Sequence, residues 1–151
     1  MTVTVGEPAP DFALVDDAGA TVRLADLHGQ RVVLYFYPAD DTPGCTRQAC
    51  AIRDGWGDIE ATGARLFGVS PDDVDSHARF KAKYGLPFPL LADTGHSVTE
   101  AYGFWGPRKG GTMSVIRSTV LIGRDGSIER VWTPVDPDAH VDLIREALAS
   151  E

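Results

Sequence analysis

At 151 residues, 43% of them hydrophobic, the chain is sized for one domain (1–151) around one core. Its 22 acidic residues outweigh 14 basic ones, and the net charge of -8 argues against nucleic acid and anionic membranes, which both attract clustered cations. The opening residues MTVTVGEPAPDF lack the basic and apolar regions of a signal peptide, and no apolar run approaches a bilayer span, so the expectation is a soluble cytoplasmic protein with no membrane partner.

The pieces DFALVDD and ATVRLADL alternate polar and apolar residues around the turn signal Asp17-Ala18-Gly19, which predicts an N-terminal β-hairpin. RVVLYFYP is a continuous β-branched and aromatic run, the pattern of a central strand covered on both faces, and Pro38 stops it. Thr42 then reads as a helix N-cap and Pro43 as the first helical residue, with the helix running toward Gly63 and Ala49, Ile52, Trp56 and Ile59 on one face. RLFGVS predicts a second core strand. PDDVDSHARFKAKYG predicts a helix with an acidic start, a basic end and a stop at Gly85.

A short strand in FPLLAD and a brief helix in HSVTEAYG follow. WGPRKGGTMS, where glycines cluster, reads as a flexible connection. Strands in STVLIGRDG and SIERVWTP form a hairpin through Arg124-Asp125-Gly126, and PDAHVDLIREALAS closes the chain as a helix. Strand and helix alternate at first and the last two strands pair directly, so the expected class is α/β: a mixed central sheet flanked by helices.

The chain holds two cysteines, Cys45 and Cys50. In a reducing compartment such a pair points to catalysis, redox sensing or metal binding before a structural staple. Two thiols are too few for zinc without histidines, and His28, His77, His96 and His140 show no ligand spacing with them, so neither metal nor cofactor is expected. The four histidines read as surface or cap residues.

With Thr42 as N-cap, Cys45 takes the third helical position, where backbone amides without intrahelical partners stabilise a thiolate. Gly44 lets another group approach the backbone, and the Thr42 hydroxyl lies one turn behind the sulfur. Asp40 and Asp41 oppose a thiolate, so their carboxylates are expected to face solvent. A thiol of pKa about 8.5 is roughly 3% ionised at pH 7, and a shift to about 6 gives a roughly 30-fold gain in thiolate. The accompanying fall in nucleophilicity removes roughly 10-fold to 18-fold of that, so ionisation alone explains almost no rate. An efficient site needs a cation aimed at the developing charge. From the residues alone, Cys45 could equally be a small buried hydrophobe, Cys50 has the lesser alternative of an inert core residue, and Arg117 reads as a surface or salt-bridging arginine.

The stretches FYPADDTPGCTRQAC, GVSPDDVDSHARFKAKYGLPFPLLAD and IRSTVLIGRDG resemble the peroxiredoxins of the bacterioferritin comigratory protein, or peroxiredoxin Q, group over roughly residues 5 to 148. The resemblance implies a thioredoxin-like fold and thiol-dependent reduction of hydroperoxides. It implies Cys45 as the residue attacking peroxide, Thr42 as the hydroxyl orienting it, Arg117 as the cation, and Pro38 as a shield, with Pro43 and Gly44 completing the motif. Cys50 matches the resolving cysteine, and the implied reductant is thioredoxin or a similar dithiol, acting on a monomer or weak homodimer. Gln48 stands where many relatives carry Glu, Val120 where phenylalanine is usual, and Gly55 and Gly57 interrupt the helix.

Residues five apart in a helix are turned about 140° and shifted about 7.5 Å, so their Cα atoms lie roughly 8.5 to 9 Å apart. A disulfide needs Cα atoms within about 7 Å. A Cys45–Cys50 bond therefore requires the helix to unwind. Two alternatives share the thiols: a thioredoxin-like disulfide oxidoreductase, which normally has two residues between its cysteines where this chain has four, and a noncatalytic redox sensor or holdase.

Overall fold

The computed structural model describes residues 2–108 and 110–149. The N-terminal hairpin pairs β1 (Ala13–Asp16) with β2 (Thr21–Arg23), antiparallel. Its turn is closed by the Asp16 carboxylate, which accepts from the amides of Ala18 and Ala20, each at 2.9 Å. Gly19 supplies the positive φ of 84° that the turn requires.

The fully apolar run becomes β3 (Val32–Phe36), every residue of which is buried. It lies between β4 (Arg65–Ser70), parallel, and β8 (Ser118–Ile122), antiparallel. With β5 (Leu90–Ala92) and β9 (Ile128–Trp132) they form a seven-stranded mixed sheet in the order β2-β1-β5-β4-β3-β8-β9. Alternation along β3 divides the core. Val33, Tyr35 and Tyr37 face one layer and Val32, Leu34 and Phe36 the other.

Against the first layer pack α1 (Pro43–Asp54), α2 (Trp56–Glu60), α3 (Val74–Tyr84) and α5 (His140–Ala149), through Ala49, Ile52, Ile59, Phe80 and Ile144 among others. The opposite layer holds α4 (Ser97–Ala101), a short 3-10 turn at Leu24–Leu27 and the aromatic residues Phe12, Tyr102 and Phe104. The α3 termini match their sequence signals. Asp73 caps the helix by accepting from the Ser76 amide at 2.9 Å, and Gly85 ends it with φ 61°.

Two expectations change. The single helix from Pro43 toward Gly63 is broken at Gly55 into α1 and α2. A Cβ at Gly55 would sit 3.2 Å from Val141 Cγ2, so its bare backbone lets α5 pack close while the chain turns. The glycine-rich connection forms a second, two-stranded sheet of β6 (Trp105–Pro107) and β7 (Met113–Val115), because Gly110 and Gly111, both at positive φ, allow the reversal between them. Lys109 lies outside the described residues.

Candidate active site

The thiol of Cys45 starts from a helix geometry that the sequence encodes. Thr42 is extended, with φ -96° and ψ 157°, and its carbonyl accepts the first helical bond from the Thr46 amide at 2.8 Å. Pro43, Gly44 and Cys45 then fill the first three helical positions; Pro43 is exposed, and its ring costs no hydrogen bond there. The Thr42 side chain departs from the N-cap pattern. Its hydroxyl donates to the Ala39 carbonyl at 2.9 Å instead of accepting from the helix amides. That commits the hydroxyl hydrogen to Ala39 and leaves the oxygen of exposed Thr42 as an acceptor.

Arg117 reaches Cys45 through sheet register. Ser118 pairs with Phe36, so the residue before β8 sits beside the end of β3, from which the chain runs through half-buried Pro38 into α1. Arg117 Nη2 donates to Cys45 Sγ at 3.3 Å, and Cys45 is only 1% exposed. A Cβ at Gly44 would lie 3.2 Å from that same Nη2, so any side chain here would crowd the guanidinium.

The guanidinium is itself held. Arg117 Nη1 donates to Gln48 Oε1 at 2.6 Å, and Gln48 Nε2 lies 2.9 Å from His140 Nδ1. The other ring nitrogen of His140 lies 2.5 Å from Thr119 Oγ1. Gln48, His140 and Thr119 are all buried. Burial, and secondarily the Arg117 charge, push the His140 pKa down to about 3, so the ring is neutral. Gln48 and His140 were not among the residues the sequence singled out. Gln48 sits one turn after Cys45, and its sequence signal is only that it stands where many relatives carry Glu. His140 is 92 positions away from it, and only the packing of α5 on α1 joins them.

The expectation of surface or cap histidines is corrected at two positions, since His77 and His140 are both buried. Of the acidic pair, Asp41 faces outward as expected and Asp40 does not. Asp40 turns inward, its carboxyl accepting from Tyr37 Oη at 2.6 Å and Ser76 Oγ at 2.8 Å, with His77 Nδ1 2.7 Å away. Asp41 faces outward but binds Lys83 Nζ and Tyr84 Oη, each at 2.7 Å, and those bonds pull its pKa down. Both carboxyls are therefore engaged with α3 rather than with the sulfur. Cys50 lies on α1, half-buried, and both thiols are free.

A thioredoxin-like α/β fold with a buried thiol at a helix N-terminus under an arginine defines a thiol-dependent oxidoreductase. The AhpC/TSA family profile matches residues 5–131. Peroxiredoxin Bcp of Bacillus subtilis is 43% identical over 93% of this chain and 92% of its own length. The chloroplastic peroxiredoxin Q of Oryza sativa subsp. japonica is 41% identical over 98% of this chain and 68% of its own length. A solved structure of Xanthomonas campestris peroxiredoxin Q superposes with a TM-score of 0.91 at 30% identity, covering 97% of this chain and 98% of that one. The chain belongs to the AhpC/TSA family, among the peroxiredoxins of the Bcp and peroxiredoxin Q kind, and is a thiol-dependent peroxidase.

Proposed function

We propose that this chain, acting as one domain, reduces hydrogen peroxide and organic hydroperoxides at Cys45. The observation that carries the reading is the Arg117 guanidinium, 3.3 Å from a buried thiol at a helix N-terminus. Another solved structure of the Xanthomonas campestris protein concerns alkyl peroxide reduction, in keeping with this substrate class.

The Cys45 thiolate attacks the outer peroxide oxygen, the O–O bond breaks, and the departing oxygen takes a proton and leaves as water or alcohol. Arg117 stabilises negative charge as it moves from sulfur to that oxygen. The Thr42 oxygen, its own hydrogen committed to Ala39, accepts from the peroxide O–H and orients it. Pro38 shields the pocket from water. Cys45 is left as a sulfenic acid. The Cys50 thiolate then attacks its sulfur, forming the disulfide and expelling water once a proton is added. Thioredoxin or a similar dithiol reduces that bond in the cytoplasm, with the enzyme a monomer or weak homodimer.

Consumption of peroxide in the presence of thioredoxin, its reductase and NADPH tests this reading. The wild type turns over, Cys45→Ser is inactive, and Cys50→Ser is oxidised once but loses thioredoxin-linked turnover. Full turnover by Cys50→Ser would remove Cys50 as the resolving residue. Reduction of protein disulfides without any peroxide requirement would favour a disulfide oxidoreductase, and a single oxidation of the wild type would favour a sensor.

A further inference from the structure

The chain of contacts behind Arg117 contains an ambiguity that chemistry must resolve. A glutamine amide has two ends of nearly equal size, and reversing it exchanges an acceptor for two donors. Arg117 only donates, so the end of Gln48 that faces it must be oxygen for the 2.6 Å contact to hold. Nothing in the glutamine itself enforces that choice. The group at its other end can.

We propose that His140 is a positioning residue for the peroxide reaction: as a neutral ring protonated on Nε2, it locks the Gln48 amide with oxygen toward Arg117 and so holds the guanidinium against Cys45. The inference rests on the reading of Cys45 as the peroxide-reducing thiol. His140 Nδ1, 2.9 Å from Gln48 Nε2, accepts from the amide only if it carries no hydrogen. The ring proton must then sit on Nε2, where it donates to Thr119 Oγ1 at 2.5 Å.

The groups around the ring are all compatible with this tautomer. Gln48 approaches from α1, Thr119 from β8, Arg117 from the residue before β8, and the Tyr35 ring from β3 with its centroid 5.5 Å away. Arg117 is the charged group among them, and its sign opposes a second proton on the ring. Protonated Nδ1 would face the amide hydrogens of Gln48, and relief would come from reversing the amide, which would place N–H against N–H at Arg117. With a pKa of about 3, the ring stays in its accepting form across the pH range in which a thiol peroxidase works. The Gln in place of the more usual Glu completes the logic. A carboxylate would meet the bare Nδ1 lone pair, whereas the amide supplies the hydrogen it needs.

Three variants and one spectroscopic measurement test the assignment. Nitrogen-15 NMR of histidine-labelled wild type reports the tautomer whether or not the protein consumes peroxide. The expected result is a neutral ring, protonated on Nε2, from pH 5 to pH 8. A ring protonated on Nδ1, or on both nitrogens, overturns the lock.

For the kinetics, stopped-flow rates with hydrogen peroxide are compared at pH 7. His140→Phe keeps a ring but removes the acceptor, and is expected to slow peroxide reaction on the order of tenfold, less than the roughly 10²-fold to 10³-fold cost of deleting a direct charge-stabilising donor. His140→Asn, whose Oδ1 falls near the position of Nδ1, is expected to recover most of that loss. Gln48→Glu is expected to make His140 take up a second proton near neutral pH, visible in the same spectra. Equal slowing by Phe and Asn, or no slowing by Phe, reduces His140 to a packing residue. A wild type that shows the predicted tautomer but consumes no peroxide would instead defeat the peroxidase reading.

Discussion

Arg117 reaches Cys45 alongside Gly44, where a side chain would crowd the guanidinium. On the proposed reading, ionising the thiol yields almost no net rate, so the role assigned to Arg117 is to stabilise the charge that forms as the O–O bond breaks. Replacing it with Met is therefore expected to cost about 2 kcal/mol or more of transition-state stabilisation, measured as peroxide reactivity corrected for the thiolate fraction of each protein. Slowing that vanishes after the correction would show that Arg117 only sets the ionisation of Cys45. At this scale the sequence exposes the groups whose motif is local. Thr42, Pro43, Gly44 and Cys45 are adjacent, and their helical positions follow from propensity and capping. Arg117 was legible only through the family resemblance, because its proximity depends on the pairing of β3 with β8. His140 reads from sequence as a surface or cap residue, since nothing in PDAHVDLI distinguishes a histidine that starts a buried face from one that caps it.

Elements with strong local signals came out as expected, and the exceptions have tertiary causes. β3 was recognisable because both its faces are apolar, and α3 because Asp73 and Gly85 bracket it. The glycines at 55 and 57 mark a weak point in the sequence, but that the helix divides at Gly55 depends on how closely Val141 of α5 approaches. That finding alters how the glycines should be tested. Gly55→Ala would press on α5 as well as strengthen the helix, whereas Gly57 has open space around it. Gly57→Ala is thus the cleaner probe, worth up to about 1 kcal/mol of added helix stability. If opening extends into α2, this variant forms the Cys45–Cys50 disulfide more slowly; an unchanged rate would confine opening to α1. In either case the oxidised protein is expected to show lower helicity and faster amide exchange over residues 42–55. A disulfide formed with unchanged exchange there would contradict unwinding.

For the molecule as a whole, the buried neutral His140 ties stability to pH. Its folded pKa of about 3 lies below the ordinary 6.5, so the unfolded chain binds the proton first. Stability is complete above about pH 6.5 and is lost as pH falls toward 3, at up to about 1.4 kcal/mol per pH unit from this group. Urea unfolding at pH 7, 6 and 5 should show the decline, and His140→Asn should flatten it; an identical slope in that variant would assign the decline to other groups.

The anchoring of the loop before α1 has a mechanical result. Upstream, the Asp40 amide donates to Asp72 at 2.7 Å, while the two carboxyls of this loop engage α3. Downstream, Arg53 Nη1 donates to the Tyr84 carbonyl at 2.7 Å, and Gly55 rests against α5. The 12 residues of α1 span about 18 Å as a helix, but reach about 40 Å when drawn out. The segment therefore carries more than twice the length needed to bridge its moorings. On the proposed cycle, paying out that slack would bring Cys45 and Cys50 together with the sheet, α3 and α5 unmoved, so a dithiol reductant would meet a changed surface on an unchanged frame.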